Sequence, residues 1–394
     1  LNGARSLVGE RLGAAAQVSN YDPVPVLAYA EYLRTDGKAD FAEGLIENAL
    51  RRHPNHAALL RALAQLKLQR KDWIGAEDVA RQLRQVAGGE ATADLVAAQS
   101  LAGQNQYEQS IEVLEGALKR DGETGSNMAA LVASYVRSGQ EDRARAFLDD
   151  VLATTPDNLS ALRLKADLLT TLGETAEAEK IYREIVELRP KLPAAHAALT
   201  EFLIREDRTD EALAAARAGV EATDGNIQGG GAGLQLSYAL LLEQKADYDG
   251  AVKVYEKLAA ERPDSFIVAN NLASLLVDRF PTEANIERAL QVAKRLRESE
   301  VPQYQDTYGW ILYLRGEPEQ ALRYLQPAAE AMPNLMLAQY HLGMAYAKAG
   351  IDDRAITSLN RAIELAGDDP SLSEQVKTAR ATLETLQKSA NKEN

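Results

Sequence analysis

Six small residues fall at intervals of 34 along the first half of this chain: Ala42, Ala76, Ser110, Ala144, Ala178 and Ala212. After two irregular steps the beat resumes at Ala251, Ala289, Ala321 and Ala355. A period of this length describes stacked supersecondary units, each too small to bury its apolar face alone and each completed by its neighbours. It also explains how 394 residues can fold without one large core, since a solenoid grows by adding units.

The residues around each beat give the anatomy of the unit. Twelve positions earlier stands a second small or compact residue, at Ala30, Ala64, Ala98, Val132, Ala166, Ala239, Ala273, Gly309 and Gly343. Two helices cross there. A turn signal precedes the beat at Gly37, Asn105, Gly139, Gly173, Gly316 and Gly350, where a left-handed residue ends one helix and lets the next begin. Proline follows the beat at Pro54, Pro156, Pro190, Pro263 and Pro333, with Gly122 and Gly367 replacing it elsewhere, and stops the second helix.

This pattern resembles the tetratricopeptide repeat family. The compact examples are DTYGWILYLRGEPEQALRYLQPAAEAMP (306–333) and QYHLGMAYAKAGIDDRAITSLNRAIEL (339–365). The resemblance implies an all-α, right-handed α-solenoid of about ten helix pairs with a C-terminal capping helix. Lys67 and Thr200 depart from it, standing where the family keeps apolar or small residues. The expected organisation is an N-terminal helix over 1–20, repeats one to six over 21–224, a glycine-rich joint at 225–233, repeats seven to ten over 234–367, a capping helix at 370–388 and a disordered tail at 389–394. Val8 lies 34 before Ala42, so the first helix reads as the remnant of a preceding repeat in a fragment or processed protein, or as a freestanding cap.

Two steps break the period. The step from Ala212 to Ala251 is 39, and its excess falls on GNIQGGGAG, too rich in glycine to continue a helix and expected to be flexible. That stretch lacks the Gly-Lys-Ser/Thr ending and the preceding strand of a phosphate-binding loop. The step from Ala251 to Ala289 is 38, and DRFPTEAN (278–285) extends the turn of repeat eight.

Composition removes several classes of function. With 58 acidic against 44 basic residues the formal charge is -14, which disfavours nonspecific nucleic-acid binding. No apolar run is long enough for a transmembrane helix. The absence of cysteine excludes disulfides, thiolate catalysis and cysteine zinc sites. Only four histidines occur; His53 and His56 flank Pro54 in a turn with no third ligand evident nearby, and His341 beside Tyr340 reads as a packing residue. No nucleophile elbow or His-Glu-x-x-His helix is present, so the expectation is no enzyme, no cofactor and no metal.

What remains is recognition of a protein or peptide. In the resembled family the first helix of each pair lines the concave surface, and spacings of three and four select one face. Repeats five and six put Arg163, Asp167, Glu201, Ile204 and Arg205 there, a mixed-charge lining whose candidates are Arg163, Asp167, Glu201 and Arg205. Repeat seven offers Leu236, Leu240 and Glu243, and repeat eight Ile267, Asn270, Ser274 and Val277. Repeats nine and ten offer Asp306, Trp310, Tyr313, Leu337, Tyr340, Met344 and Ala347. The candidate partner-binding residues are Trp310, Tyr313, Leu337, Tyr340, Met344, Leu236 and Leu240, because aromatic and Met residues are enriched at interface centres. Burial of the aromatic group as ordinary core is the competing expectation. Trp73 is expected to pack in a turn.

The inward Asn and Lys set by which some family members clamp a terminal carboxylate is missing. The leading reading is a noncatalytic bacterial scaffold or adaptor that binds a partner in its groove. NNLASLL, DTYGWILYLRGEPEQAL and YHLGMAYAKAG look like the long repeat proteins of exopolysaccharide and export systems, which puts the periplasm or envelope before the cytoplasm. The alternative is a regulatory or substrate-docking region of a larger enzyme. Homo-oligomerisation is compatible with both.

Overall fold

The computed structural model describes the backbone of residues 2–35, 37–122 and 124–393, with side chains described within 7–388. Among the described residues there are twenty-two α-helices and no strand. The chain divides into two compact units, Leu1–Arg189 and Pro190–Asn394.

The first unit opens with α1 (Asn2–Val18) and continues as five helix pairs. These are α2 (Pro23–Thr35) with α3 (Ala39–Leu50), α4 (Ala57–Gln69) with α5 (Trp73–Arg84), α6 (Glu90–Gly103) with α7 (Tyr107–Asp121), α8 (Gly125–Arg137) with α9 (Glu141–Thr154), and α10 (Leu159–Thr171) with α11 (Thr175–Leu188). The beat residues Ala42, Ala76, Ser110, Ala144 and Ala178 are all 0% exposed. Ser110 stands in for alanine because its hydroxyl donates to the Ala98 carbonyl at 2.9 Å and pairs with Ser134 Oγ at 3.0 Å, so no buried polar atom is left over. Lys67 is accommodated by charge: its ammonium lies 2.6 Å from Glu43 and 3.0 Å from Asp72. Trp73 packs across a repeat boundary, against Gly103 at the end of α6, where a Cβ would come within 2.8 Å of the indole.

The second unit holds five more pairs. They are α12 (Pro193–Arg205) with α13 (Thr209–Ala222), α14 (Gly231–Gln244) with α15 (Tyr248–Glu261), α16 (Phe266–Arg279) with α17 (Glu283–Ala293), α18 (Pro302–Arg315) with α19 (Pro318–Ala331), and α20 (Met336–Lys348) with α21 (Asp352–Ala366); α22 (Ser373–Glu393) closes the chain. Ala212, Ala251, Ala289, Ala321 and Ala355 are again fully buried. In the last two pairs the helices approach so closely that only glycine fits: a Cβ on Gly309 or Gly343 would lie 2.7 Å from Leu325 or Leu359 respectively.

The two breaks in period have distinct structures. The connection from α13 to α14 is a hydrogen-bonded turn inside the second unit, and α14 begins at Gly231, within the stretch expected as a joint. The buried Gln235 amide and the Lys257 ammonium both donate to the Gly225 carbonyl. The extension in repeat eight is short, because Thr282 caps α17 by accepting from Asn285 N at 3.2 Å. A 3-10 turn, Lys294–Glu298, then continues α17. At the C-terminus, Ala379, Leu383 and Leu386 of α22 are buried, the first two against the last helix pair. The tail read as disordered, 389–394, lies outside the residues whose side chains are described.

Candidate functional site

The first helices of the pairs supply the candidate face. On α14 and α16, Leu240 is 47% and Ile267 45% exposed, and Leu236 is half-buried. On α18, the spacing of Asp306, Trp310 and Tyr313 places them on one side of the helix. Trp310 and Tyr313 stack with ring centroids 4.6 Å apart and planes inclined by 11°. The His341 ring of α20 also stacks on Trp310, at 4.1 Å and 18°, and Tyr340 packs beside both. The sequence-derived residues Trp310, Tyr313 and Tyr340 are therefore brought into one aromatic cluster, with His341 as a member the sequence reading assigned to packing alone.

The C-terminal helix bears on this cluster. Thr378 of α22 lies against the Tyr340 hydroxyl, and Thr382 Oγ1 is 3.6 Å from Met344 Sδ. Tyr340 is 7% exposed, and burial pushes its phenol above the usual range. Met344 and Leu337 pack into the same cluster as Leu383 and Ala379. Of the proposed wall, Trp310 and Tyr313 remain half-buried, while Tyr340 is taken into packing beneath α22.

A polar stratum accompanies the aromatic one. His341 Nδ1 lies 2.9 Å from Asp306 Oδ2, and both side chains are largely buried. Asp306 Oδ1 is buried without a hydrogen-bond partner, as is Asn270 Oδ1 on α16. Asp278 closes α16, accepting from Ser274 Oγ at 2.9 Å. Burial pushes the Asp278 carboxyl above its usual range although water reaches it, because protein flanks it on the remaining sides; His341 and Arg279 offset part of this, and Asp306 adds repulsion. Glu243 on α14 behaves likewise: burial raises its carboxyl, against a 2.6 Å hydrogen bond from Tyr255 and the attraction of Arg279. The sequence marks Asp278 only as the start of an extended turn and His341 only as a packing residue, because the spacing that selects the inward face stops one position short of them, at Val277 and Tyr340 respectively.

The secondary polar candidates divide between the units. Arg163 and Asp167 form an ion pair at 3.0 Å along α10, and Tyr182 donates to the same carboxylate at 2.5 Å, so their charges are satisfied locally. Glu201 and Arg205 are exposed on α12 in the second unit.

Among the described residues no cluster of three or more His, Cys, Asp or Glu could hold a metal ion, and no helix is long and apolar enough to cross a membrane. His56 caps α4 by accepting from Leu59 N at 3.4 Å, and His196 pairs with the Pro190 carbonyl at 2.8 Å. Two open surface depressions, one of about 660 Å³ lined by Tyr29, Tyr32 and Phe41 and one of about 550 Å³ lined by Val376, Lys377 and Arg380, have none of the aromatic cluster in their lining.

Sequence models of the tetratricopeptide repeat match residues 101–168, 160–192, 232–265 and 309–370. The chain is 28% identical over 210 residues to the TPR repeat-containing protein PA4667 of Pseudomonas aeruginosa, covering 52% of this chain and 34% of that protein. It is 33% identical over 81 residues to the uncharacterized protein y4yS of Sinorhizobium fredii, covering 21% of this chain and 44% of that one. The chain thus spans between a third and a half of the length of the curated relatives it matches. Among solved structures, the crystal structure of the APC/C hetero-tetramer Cut9-Hcn1 aligns over 96% of this chain and 93% of that chain, with 11% identity and a TM-score of 0.45.

Proposed function

This chain belongs to the tetratricopeptide repeat family, and from that premise we propose that it is a noncatalytic protein–protein interaction scaffold whose second unit holds a partner along the first helices of its pairs. One observation carries the reading. Leu240 and Ile267 are nearly half exposed on consecutive first helices, and Leu236, Trp310 and Tyr313 belong by their spacing to the same helical face and are only partly covered. An isolated exposed apolar residue needs no explanation, but apolar residues on one face of successive first helices form a patch that association would remove from water. Trp310 supplies an aromatic anchor of the kind that dominates interface energetics.

The test is copurification with the tagged protein in its native cells. Leu240→Asp and Ile267→Asp change exposed positions and leave the core intact, so their helical signal and melting temperature should match the parent. Each should lower partner affinity by about 2 kcal/mol or more, the usual cost at an interface centre. Undiminished recovery of partners by both folded variants would reject this face.

The finer reading is a place in a bacterial envelope assembly or export machinery. It is supported by the repeat segments that carry the likeness and by the bacterial origin of the two curated relatives. Fractionation of the native protein checks it; a pool confined to the cytosol, with only cytosolic partners, would remove it.

A further inference from the structure

The acceptors on α14, α16 and α18 have a ligand chemistry of their own. Asn270 and Asp306 occupy one register, each three residues before the small residue at which its helix crosses its partner, Ala273 and Gly309. Each has a buried side-chain oxygen with no hydrogen-bond partner. Asp306 is 9% exposed, and its orphan cannot be removed by turning the group over, because both carboxylate oxygens are acceptors. A buried acceptor left unpaired is costly, and more so when it is charged.

The surroundings are short of positive charge. Glu243, Asp278 and Asp306 come from three consecutive repeats, and Asp278 feels repulsion from both of the others. The positive charges that offset them are those of Arg279, which also lies over the Tyr248 ring at 4.6 Å, and of His341, which is engaged with Asp306. Lys348, on the same helix as His341, is committed to Tyr313, donating to its carbonyl at 3.1 Å and lying over its ring. Beside this lies Trp310, whose ring is stacked by Tyr313 and His341, so that the aromatic group walls the acidic row.

We propose that the row formed by Asn270, Asp278 and Asp306 beside Trp310 is a subsite for a cationic side chain, with arginine as the best fit, presented by a peptide segment of the partner. The inference rests on the interaction reading above and deepens it by naming the chemistry of the anchor. Arginine meets the requirements together: it carries donors only, its fork can serve two acceptors, and its charge compensates the carboxylates. A neutral segment can supply donors but not the charge, and an acidic one adds repulsion.

The experiment uses the full chain and two acetylated, amidated peptides of alanine and glycine, identical except that one carries two arginines and the other two citrullines. Citrulline keeps the shape and most of the donors and loses the charge. Binding is followed through Trp310 fluorescence in the Trp73→Phe background. The arginine peptide should bind at least tenfold more tightly than the citrulline peptide. Asp306→Asn keeps an acceptor for His341, and Asp278→Asn alters an exposed side chain, so at least the second folds as the parent does; each should weaken the arginine peptide at least fivefold. Glu261→Gln, which removes an exposed charge elsewhere in the unit, should not.

Equal affinity for the two peptides overturns the proposal, and so does an Asp278→Asn effect no larger than that of Glu261→Gln. Its failure is distinguishable from failure of the interaction reading. If copurified partners are lost in Leu240→Asp but retained in full by Asp278→Asn and Asp306→Asn, the groove binds and the cationic subsite is wrong.

Discussion

His341 and Asp306 meet at 2.9 Å although 35 residues separate them in sequence, and the imidazole that makes this contact is also stacked on Trp310. One side chain thus ties α18 to α20 through both a polar and an aromatic contact. Replacing it by phenylalanine separates the two contributions. His341→Phe keeps a ring for Trp310 but leaves a buried carboxylate without its donor, a loss of about 2 kcal/mol. Adding Asp306→Leu in that background should recover stability, because an apolar pair of similar volume has no unmet hydrogen bond. Urea denaturation of the parent, the single variants and the double variant gives the coupling; a neutral His341→Phe would mean that the polar contact contributes nothing.

Thr200 is the small-position residue of repeat six, fully buried at 0% exposure, and its hydroxyl has no hydrogen-bond partner. Thr200→Val keeps the shape and removes the unpaired group. It should stabilise the protein by about 1 kcal/mol, the lower end of the cost of an unmet buried polar atom. Loss of stability would show that the hydroxyl is satisfied in solution.

Ala246 turns the chain between α14 and α15 with φ of 59°, a conformation that Gly37, Gly139, Gly173, Gly316 and Gly350 adopt in their own repeats. Alanine pays for the left-handed geometry with a Cβ clash. Ala246→Gly should gain about 0.5 kcal/mol, the strain relieved less the extra freedom glycine gives the unfolded chain. A melting temperature unchanged or lowered would count against strain there.

The turns show what the sequence made legible and what it hid. Five glycines and Asn105 announced their turns, whereas Lys71, Asp207 and Ala246 adopt the same left-handed backbone with no residue-level signal and are placed only by the period. The beat residues were equally legible, because a residue that must vanish between two helices has to be small. The candidate site was legible as a register: the spacing that selected Trp310, Tyr313 and Tyr340 found residues that do cluster. The apolar stripe of the last helix made its capping of the final repeat legible, and burial of the aromatic group was the competing expectation; what the stripe could not decide is that α22 takes Tyr340 into packing while Trp310 and Tyr313 stay half-buried. Nor could the sequence show that the glycine-rich connection is gripped at the Gly225 carbonyl by Gln235, ten residues later, and Lys257, from the next helix.

That coverage makes a prediction for the end of the chain. Leu383 and Leu386 are 7% and 9% exposed on α22, and Leu383 packs with Met336, Tyr340 and Leu359 of the last pair. Deleting 373–394 returns these surfaces to water, a loss of about 3 to 6 kcal/mol for two leucines. Amide exchange should accelerate in α20 and α21 and stay unchanged in the first unit. Unaltered protection in α20 would mean that α22 is not its cover.

The carboxylates of the second unit give a dependence on pH opposite to the familiar one. Burial raises the Glu243 carboxyl above its ordinary value of 4.5, and the Tyr255 hydrogen bond and Arg279 only partly reverse this. A carboxyl raised on folding binds its proton more tightly in the native state, so unfolding releases it. Its unfavourable contribution is absent below the unfolded value, sets in as the unfolded chain begins to ionise near 4.5, and is complete once pH exceeds the folded value. Glu243→Gln keeps an oxygen for the Tyr255 hydroxyl and cannot ionise. Melted side by side from about pH 4 to about pH 8, the variant should match the parent at the acid end and exceed it at the neutral end. Asp278→Asn should follow the same course, because its carboxyl is raised by the same cause. A gap independent of pH, or a glutamine variant less stable than the parent at neutral pH, would show that Glu243 has a compensating positive charge in the folded protein; the deficit of positive charge along this row would then end at Asp278.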